Sequence, residues 1–249
     1  MFLRTIQRTM STLLSLFGLA LSALFFIWIE RHCALPWIPR QFGFPWVDLA
    51  AESSPLQAFW NLAVLALFFF LPHSLLARSS IKSRLGLFPE RLYRSTYVTT
   101  AGLGAFLVMA LWQNTGILLY AAPLSSEGML LTSLLGFWGP LVVVASASPS
   151  ALHWPAFFGF AAQPKRETLS TTGLYALCRH PLYLAILVAL SLSPLLSLDR
   201  LLILVGTASY LTIAIPLEER DLEKRFPKEY ASYRERVPRL FPWRLFGAR

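Results

Sequence analysis

Six apolar stretches separated by short polar connections constrain this chain more than any single motif. They run over about 11–29, 57–76, 96–113, 129–149, 182–198 and 201–217, and a bilayer-crossing helix needs roughly 17–25 mostly apolar residues. The last two are the shortest and meet at a turn read at Leu198-Asp199-Arg200. Lys and Arg order the stretches. Of the 22 basic residues, 19 fall before the first stretch, in the second and fourth connections and after the last stretch, against 3 in the first, third and fifth connections. Basic residues accumulate in cytoplasmic loops. The pattern therefore predicts an all-α integral membrane protein of about six transmembrane helices, the last two a short hairpin. Both termini and a helical C-terminal tail are expected in the cytoplasm, and a bacterial inner membrane is the expected location.

Composition agrees, since 55% hydrophobic and 14% charged residues exclude an ordinary soluble enzyme. The net charge of +9 is spent on setting topology, so membrane lipids rather than nucleic acid are the expected surroundings. Arg4 and Arg8 ahead of an apolar run resemble a signal peptide, but the run continues through Phe25-Phe26-Ile27-Trp28-Ile29 and reads as a retained first helix. Trp37, Phe42 and Trp46 in the first external loop are expected to cap the lipid interface. Cys33 and Cys178 are predicted on opposite faces as free thiols. His32, His73, His153 and His180 show no metal-ligand spacing, so no metal is expected. Gly102-Leu103-Gly104 follows no strand and reads as a helix-packing feature rather than a dinucleotide loop.

The predicted topology gathers polar clusters on one face. His73-Ser74 closes the second helix, Arg94-Ser95-Thr96-Tyr97 opens the third, His153-Trp154 follows the fourth, Arg179-His180-Pro181 precedes the fifth and Glu218-Glu219 ends the sixth. Ionisable groups at the hydrocarbon edge are costly to desolvate and are functional candidates for that reason. Pro181 suits the first turn of a helix and leaves Arg179 and His180 just before it. Pro216 is expected to bend or end the sixth span ahead of Glu218 and Glu219. These carboxylates are expected either to pair with the Arg/His cluster or to accept hydrogen bonds from ligand hydroxyls. Tyr230 and Tyr233 share a helix face, with Arg236 three positions further on. They suit either a cation contact or plain packing.

G-L-Y-x-L-x-R-H-P-L-Y from Gly173, then L-E-E-R-D-L, then F-x-x-x-Y-x-x-Y-R-x-R-V-P-R-L-x-P to about Trp243, resembles the membrane methyltransferases that include isoprenylcysteine carboxyl methyltransferase and the phospholipid N-methyltransferases. H-S-L-L-A-R-x-x-x-K at His73 to Lys82 and R-S-T-Y-V at Arg94 to Val98 are similar to the narrower branch of methanethiol S-methyltransferase, NnrU-like proteins and nurim. The resemblance implies one domain over 1–249, with acceptor-side helices in 1–172 and a cofactor-binding core in 173–243. It implies S-adenosyl-L-methionine as cofactor, with His180, Pro181, Tyr183, Glu218, Glu219, Tyr230, Tyr233 and Arg236 around it. Arg94, Arg179 and His73 are then the catalytic candidates, and Ser74 and Tyr97 face the acceptor.

The implied activity is S-methylation of a small thiol such as methanethiol. The alternatives are a non-catalytic NnrU-like or nurim-like protein, or a methyltransferase for a prenylcysteine or lipid acceptor. One segment departs from the thiol-methylating pattern. Where that branch has a polar F-G-L-R-Q-type stretch, His153 to Pro164 read H-W-P-A-F-F-G-F-A-A-Q-P, without the arginine.

Overall fold

A computed structural model describes residues 2–34, 54–78, 81, 90–147, 154–158, 160–161 and 168–243. The interface cap at Trp37, Phe42 and Trp46, the side chains of His32 and Cys33, and His153 all lie outside the described residues. The chain is mostly helical. α1 (Phe2–Ala34) is followed by α2 (Pro55–Val64), a π-helical turn (Leu65–Phe70) and α3 (Leu71–Ala77) in one continuous rod. Then come α4 (Glu90–Leu111), β1 (Leu118–Ala121), α5 (Ser126–Ala147), the short α6 (Trp154–Phe157) and a 3-10 turn (Gly173–Ala176). α7 (Pro181–Ser191), β2 (Leu195–Ser197), α8 (Leu198–Arg225) and α9 (Pro227–Arg236) complete the fold.

Four helical segments are long and apolar enough to cross a membrane: Thr5–Ile29, Pro55–Ala77, Glu127–Ala147 and Leu198–Arg225. α4 has 22 residues but begins with charged side chains. α7 has 11 residues, about 16 Å of rise, roughly half the hydrocarbon thickness.

The expected hairpin thus takes a different form. α7 stops at Leu192, just ahead of Pro194, and the chain continues extended into β2, which pairs antiparallel with β1. Leu198-Asp199-Arg200 is no turn but the buried first turn of α8. Ser197 caps it by accepting from the Arg200 amide at 3.1 Å. Asp199 accepts from Trp112 Nε1 at 2.9 Å, Thr115 Oγ1 at 2.8 Å and the Thr115 amide. Arg200 donates to the carbonyls of Leu190 and Ala189 at 2.7 and 2.8 Å, closing the open end of α7. A short helix buried in an apolar bundle needs its last carbonyls satisfied, and Arg200 does that for two of them.

α1 and α4 make the tightest helix crossing. A Cβ on Gly102 would lie 2.3 Å from the Gly18 carbonyl oxygen, so only glycine permits this backbone approach. Gly104 does the same against the π-helical turn, where a Cβ would lie 2.1 Å from the Phe68 carbonyl oxygen. The Gly102-Leu103-Gly104 segment is therefore a packing feature, as expected. Thr99 Oγ1 ties the crossing to the Leu14 carbonyl at 2.7 Å. Around it Phe25, Trp28, Leu65, Val108, Trp112 and Phe137 form the buried core.

Pro216 does not end its helix. α8 continues to Arg225, so Glu218 and Glu219 project from an intact helix body rather than from a terminus. The helix directions bring the ends of α3, α5 and α8 and the starts of α4 and α7 to one end of the bundle.

Two substitutions test this frame. Gly102→Val should cost about 1–3 kcal/mol through overpacking, and Asp199→Ala a similar amount by stranding buried donors. Both should lower the denaturant midpoint of the purified protein, while Leu13→Ala on the exposed face of α1 should leave it in place.

Candidate active site

Pro181 sits at the first position of α7 and His180 is its N-cap, as proline's fixed φ and missing amide dictate. Arg179 and His180, just ahead of that helix, pair with the tail. Their amides donate to the carbonyls of Pro238 and Arg239 at 2.9 and 3.2 Å. Pro227 starts α9, and Pro238 follows soon after its end, so the tail turns back onto the segment ahead of α7.

Glu219 is the centre of this junction. Its Oε1 lies 3.1 Å from Arg179 Nη2 and 3.2 Å from His180 Nε2, and its Oε2 lies 3.1 Å from Arg239 Nη2. The Glu219 and Arg179 side chains are only 5% and 7% exposed. A carboxylate this buried needs such partners, because desolvation of a lone charge costs several kcal/mol. One carboxylate thereby holds α8, the segment ahead of α7 and the tail together.

Glu218, one residue earlier, points to a more open space. It accepts from the Tyr183 hydroxyl at 2.9 Å, and His180 Nδ1 lies 3.8 Å away. The His180 and Tyr183 rings stack at 5.6 Å, which orders the first turn of α7 against α8.

α9 buries Tyr230 and Tyr233 on one face, with ring centroids 6.1 Å apart. Tyr233 donates to the Tyr175 carbonyl at 2.7 Å. Tyr230 is wholly buried and faces Glu219 without forming a hydrogen bond of standard geometry, and Arg179 Nε is likewise unpartnered. Burial, reinforced by Glu219, pushes the Tyr230 phenol well above its ordinary range. Tyr230 therefore offers a proton to a ligand and does not take one up. Burial also raises the Cys178 thiol, which argues against its serving as a nucleophile.

Arg236 does not join this group. It is exposed and donates within its own helix to the Ser232 carbonyl at 3.1 Å. Residues three apart share a face, but six positions of 100° each rotate Arg236 about 120° away from Tyr230. Arg239, beyond the end of α9, supplies the cation instead. Its signal was the proline of V-P-R-L, which breaks the helix and lets the next residue turn inward.

The second half of the site lies across α8. His73 stacks on Phe69 at 5.6 Å, and the Tyr97 hydroxyl lies 2.7 Å from His73 Nε2. The Arg94 guanidinium covers the Tyr97 ring at 4.7 Å and the Phe157 ring at 4.9 Å, and Arg94 Nε donates to the Phe157 carbonyl at 2.8 Å. Ser74 accepts from Arg78 Nη2 at 3.2 Å. The π-helical turn just before His73 adds a residue to the helical repeat, a feature concentrated at functional sites.

Tyr210 joins the halves, and sequence reasoning missed it because it sits inside an apolar run. Its ring stacks on Phe70 at 4.4 Å, and its hydroxyl interacts with Ser74. Tyr97, Tyr183 and Tyr210 all lie within electrostatic range of Glu218. The structure thus brings Tyr97, which contacts His73 and Arg94, and Tyr210, which contacts Ser74, within electrostatic range of Glu218, and it places Arg179 in the junction itself.

If Glu219 is the clamp, Glu219→Gln should cost about 3 kcal/mol and loosen residues 227–239 in hydrogen exchange. Arg236→Ala should leave both readouts unchanged.

The chain is similar to methanethiol S-methyltransferase 1 of Bradyrhizobium diazoefficiens, with 30% identity over 92% of this chain and 82% of the relative. It is 28% identical to methanethiol S-methyltransferase of Mycobacterium tuberculosis, over 74% of this chain and 77% of that one. It is 29% identical to mouse nurim, over 66% of this chain and 67% of nurim. No family model and no solved structure matches it. At 30% identity over 92% of its length, the chain belongs to the methanethiol S-methyltransferase family.

Proposed function

We infer that the chain is a membrane methyltransferase that transfers the methyl group of S-adenosyl-L-methionine to a small thiol, methanethiol being the acceptor its relatives are named for. The observation that carries this reading is the meeting of two unlike halves. An ionic junction with unspent hydrogen-bonding capacity faces a histidine, a tyrosine and an arginine across Glu218.

The junction suits the donor. Among the described residues, Tyr230 OH and Arg179 Nε are buried polar atoms without a hydrogen bond of standard geometry, and a ligand carrying a carboxylate and hydroxyls satisfies both kinds. Glu218, about half exposed, suits ribose hydroxyls or a positive centre, and the rings of Tyr183 and Tyr230 suit a cation. His180, Pro181, Tyr183, Glu218, Glu219, Tyr230, Tyr233 and Arg239 would hold the cofactor. When bound, S-adenosyl-L-methionine supplies a methyl group on a positively charged sulfur that departs as a neutral thioether.

The chain's own residues prepare the acceptor. A thiol reacts as its thiolate. The proton passes to water and Arg94 stabilises the thiolate charge, while His73, 2.7 Å from the Tyr97 hydroxyl, positions that hydroxyl on the acceptor side. With the cofactor bound, the acceptor sulfur would take its methyl group as the donor's carbon–sulfur bond breaks. Ser74 and Tyr97 line the acceptor side, and the enzyme's contribution is chiefly proximity and orientation. In this reading 1–172 supply the acceptor-side helices and 173–243 the cofactor-binding core.

The membrane placement follows the same reading. α4, and α7 together with the extended 192–197 segment, complete six passes, with the site and both termini on the cytoplasmic face of a bacterial inner membrane. The basic residues gathered at that end would meet anionic lipid headgroups.

Purified full-length protein, given methyl-labelled cofactor and methanethiol, should release labelled dimethyl sulfide into the headspace. His73→Ala should lower turnover by about 100-fold through loss of the Tyr97 position, with cofactor binding kept. Cofactor binding without any volatile product would favour a nurim-like, non-catalytic role, and labelled prenylcysteine or lipid would move the activity to those acceptors.

A further inference from the structure

A cavity of about 250 Å³ lies beside Tyr97, on the acceptor side of the site and away from Glu219. α1 contributes Met10 and Leu14, α3 contributes Leu76, and α4 contributes Leu92, Thr96 and Tyr97. Its surface is almost wholly apolar because the polar groups on its wall are spent elsewhere. The Tyr93 hydroxyl donates to the Leu76 carbonyl, the Thr96 hydroxyl donates to the Leu92 carbonyl at 2.9 Å, and the Tyr97 hydroxyl is engaged by His73. Met10 is exposed on the outer surface of α1 and forms the rim.

We propose that this cavity is the compartment in which the acceptor thiol enters and waits in its neutral form, with Tyr97 as the partition between it and the reacting centre. The proposal rests on the small-thiol reading above and deepens it. Three properties of the space choose the occupant. Among the described residues its wall hydroxyls leave no donor unspent, so it rejects anions and zwitterions, the thiolate and the cofactor among them. It is smaller than the roughly 300–1,000 Å³ that hold drug-sized ligands, so a whole phospholipid does not fit inside. Dry apolar cavities of this order do take up small apolar molecules.

Tyr97 gives the compartment its direction. One side of the residue closes the apolar space, while its hydroxyl meets His73 and its ring lies beneath Arg94. A short alkyl thiol therefore crosses from a region that stabilises S–H to one that stabilises S⁻ by passing a single side chain. Leu14 and Leu92, on facing helices, set the length of the alkyl chain admitted.

The test uses the full chain in nanodiscs. Leu92→Ala enlarges the space and should shift kcat/KM from methanethiol towards butanethiol by about 10-fold or more. Leu14→Trp fills it and should raise KM for methanethiol about 10-fold, with cofactor affinity unchanged. Ligand-observed NMR of dimethyl sulfide reads the cavity without any turnover, and the wild-type signal should vanish in Leu14→Trp. Dimethyl sulfide binding that Leu14→Trp abolishes, in a wild type that methylates no thiol, would uphold the cavity and overturn the enzymatic reading. An equal signal in wild type and Leu14→Trp, or an unmoved chain-length preference in Leu92→Ala, would overturn the cavity assignment.

Discussion

A single buried carboxylate, Glu219, decides how the catalytic end of this molecule is assembled. Arg179, His180 and Arg239 come from two separate stretches of chain, and all three converge on it. Without that anion, two guanidinium groups would repel across the junction, and Arg239 would no longer anchor the tail to α8. With it, the segment ahead of α7, the body of α8 and the tail beyond α9 become one unit. Its remaining hydrogen-bonding capacity, at Tyr230 and Arg179, is turned inward.

That unit is useful only because the bundle holds a different chemistry opposite it. The close crossing of α1 and α4 at Gly18 and Gly102 fixes the helix that carries Arg94 and Tyr97. The π-helical turn rotates His73 towards Tyr97, and Tyr210 on α8 stacks on Phe70 of the same turn. Asp199 and Arg200 act at the far end of the bundle. By donating to the end of α7, Arg200 lets a helix of half a membrane's thickness begin at His180 without leaving those carbonyls open in an apolar setting, while Asp199 ties the same turn to Trp112 and Thr115. Site and scaffold are thus linked through α7 and α8, each capped or clamped at both ends by charge.

Much of the site was legible because its signals are local. Pro181 marks a helix start whatever surrounds it, and Glu218-Glu219 stands out against an apolar run. The charge count placed His73 and Arg94 at the same end as His180. What escaped the sequence depends on partners. Asp199 and Arg200 look like a solvent turn unless Trp112, Thr115 and the end of α7 are known to face them. The run over 182–198 reads as one span, although Ser193-Pro194 carried the break, since the residue before a proline avoids the helical region. Pro216 failed as a terminator because helix packing holds α8 together through it. Arg236 was misplaced by helix phase, and Arg239 replaced it by lying past the helix-breaking Pro238. Tyr210 had no signal at all within its apolar surroundings.

The central claim is that the Glu219 junction is the cofactor site of a methyltransferase. Calorimetric titration of S-adenosyl-L-methionine into the purified full chain, wild type beside Glu219→Gln and Arg236→Ala, tests it most directly. The account predicts one saturable site in wild type and in Arg236→Ala, weakened by at least about 10-fold in Glu219→Gln, as for loss of a charged hydrogen-bonding partner. Equal affinity in Glu219→Gln, or no saturable binding in wild type, would contradict it.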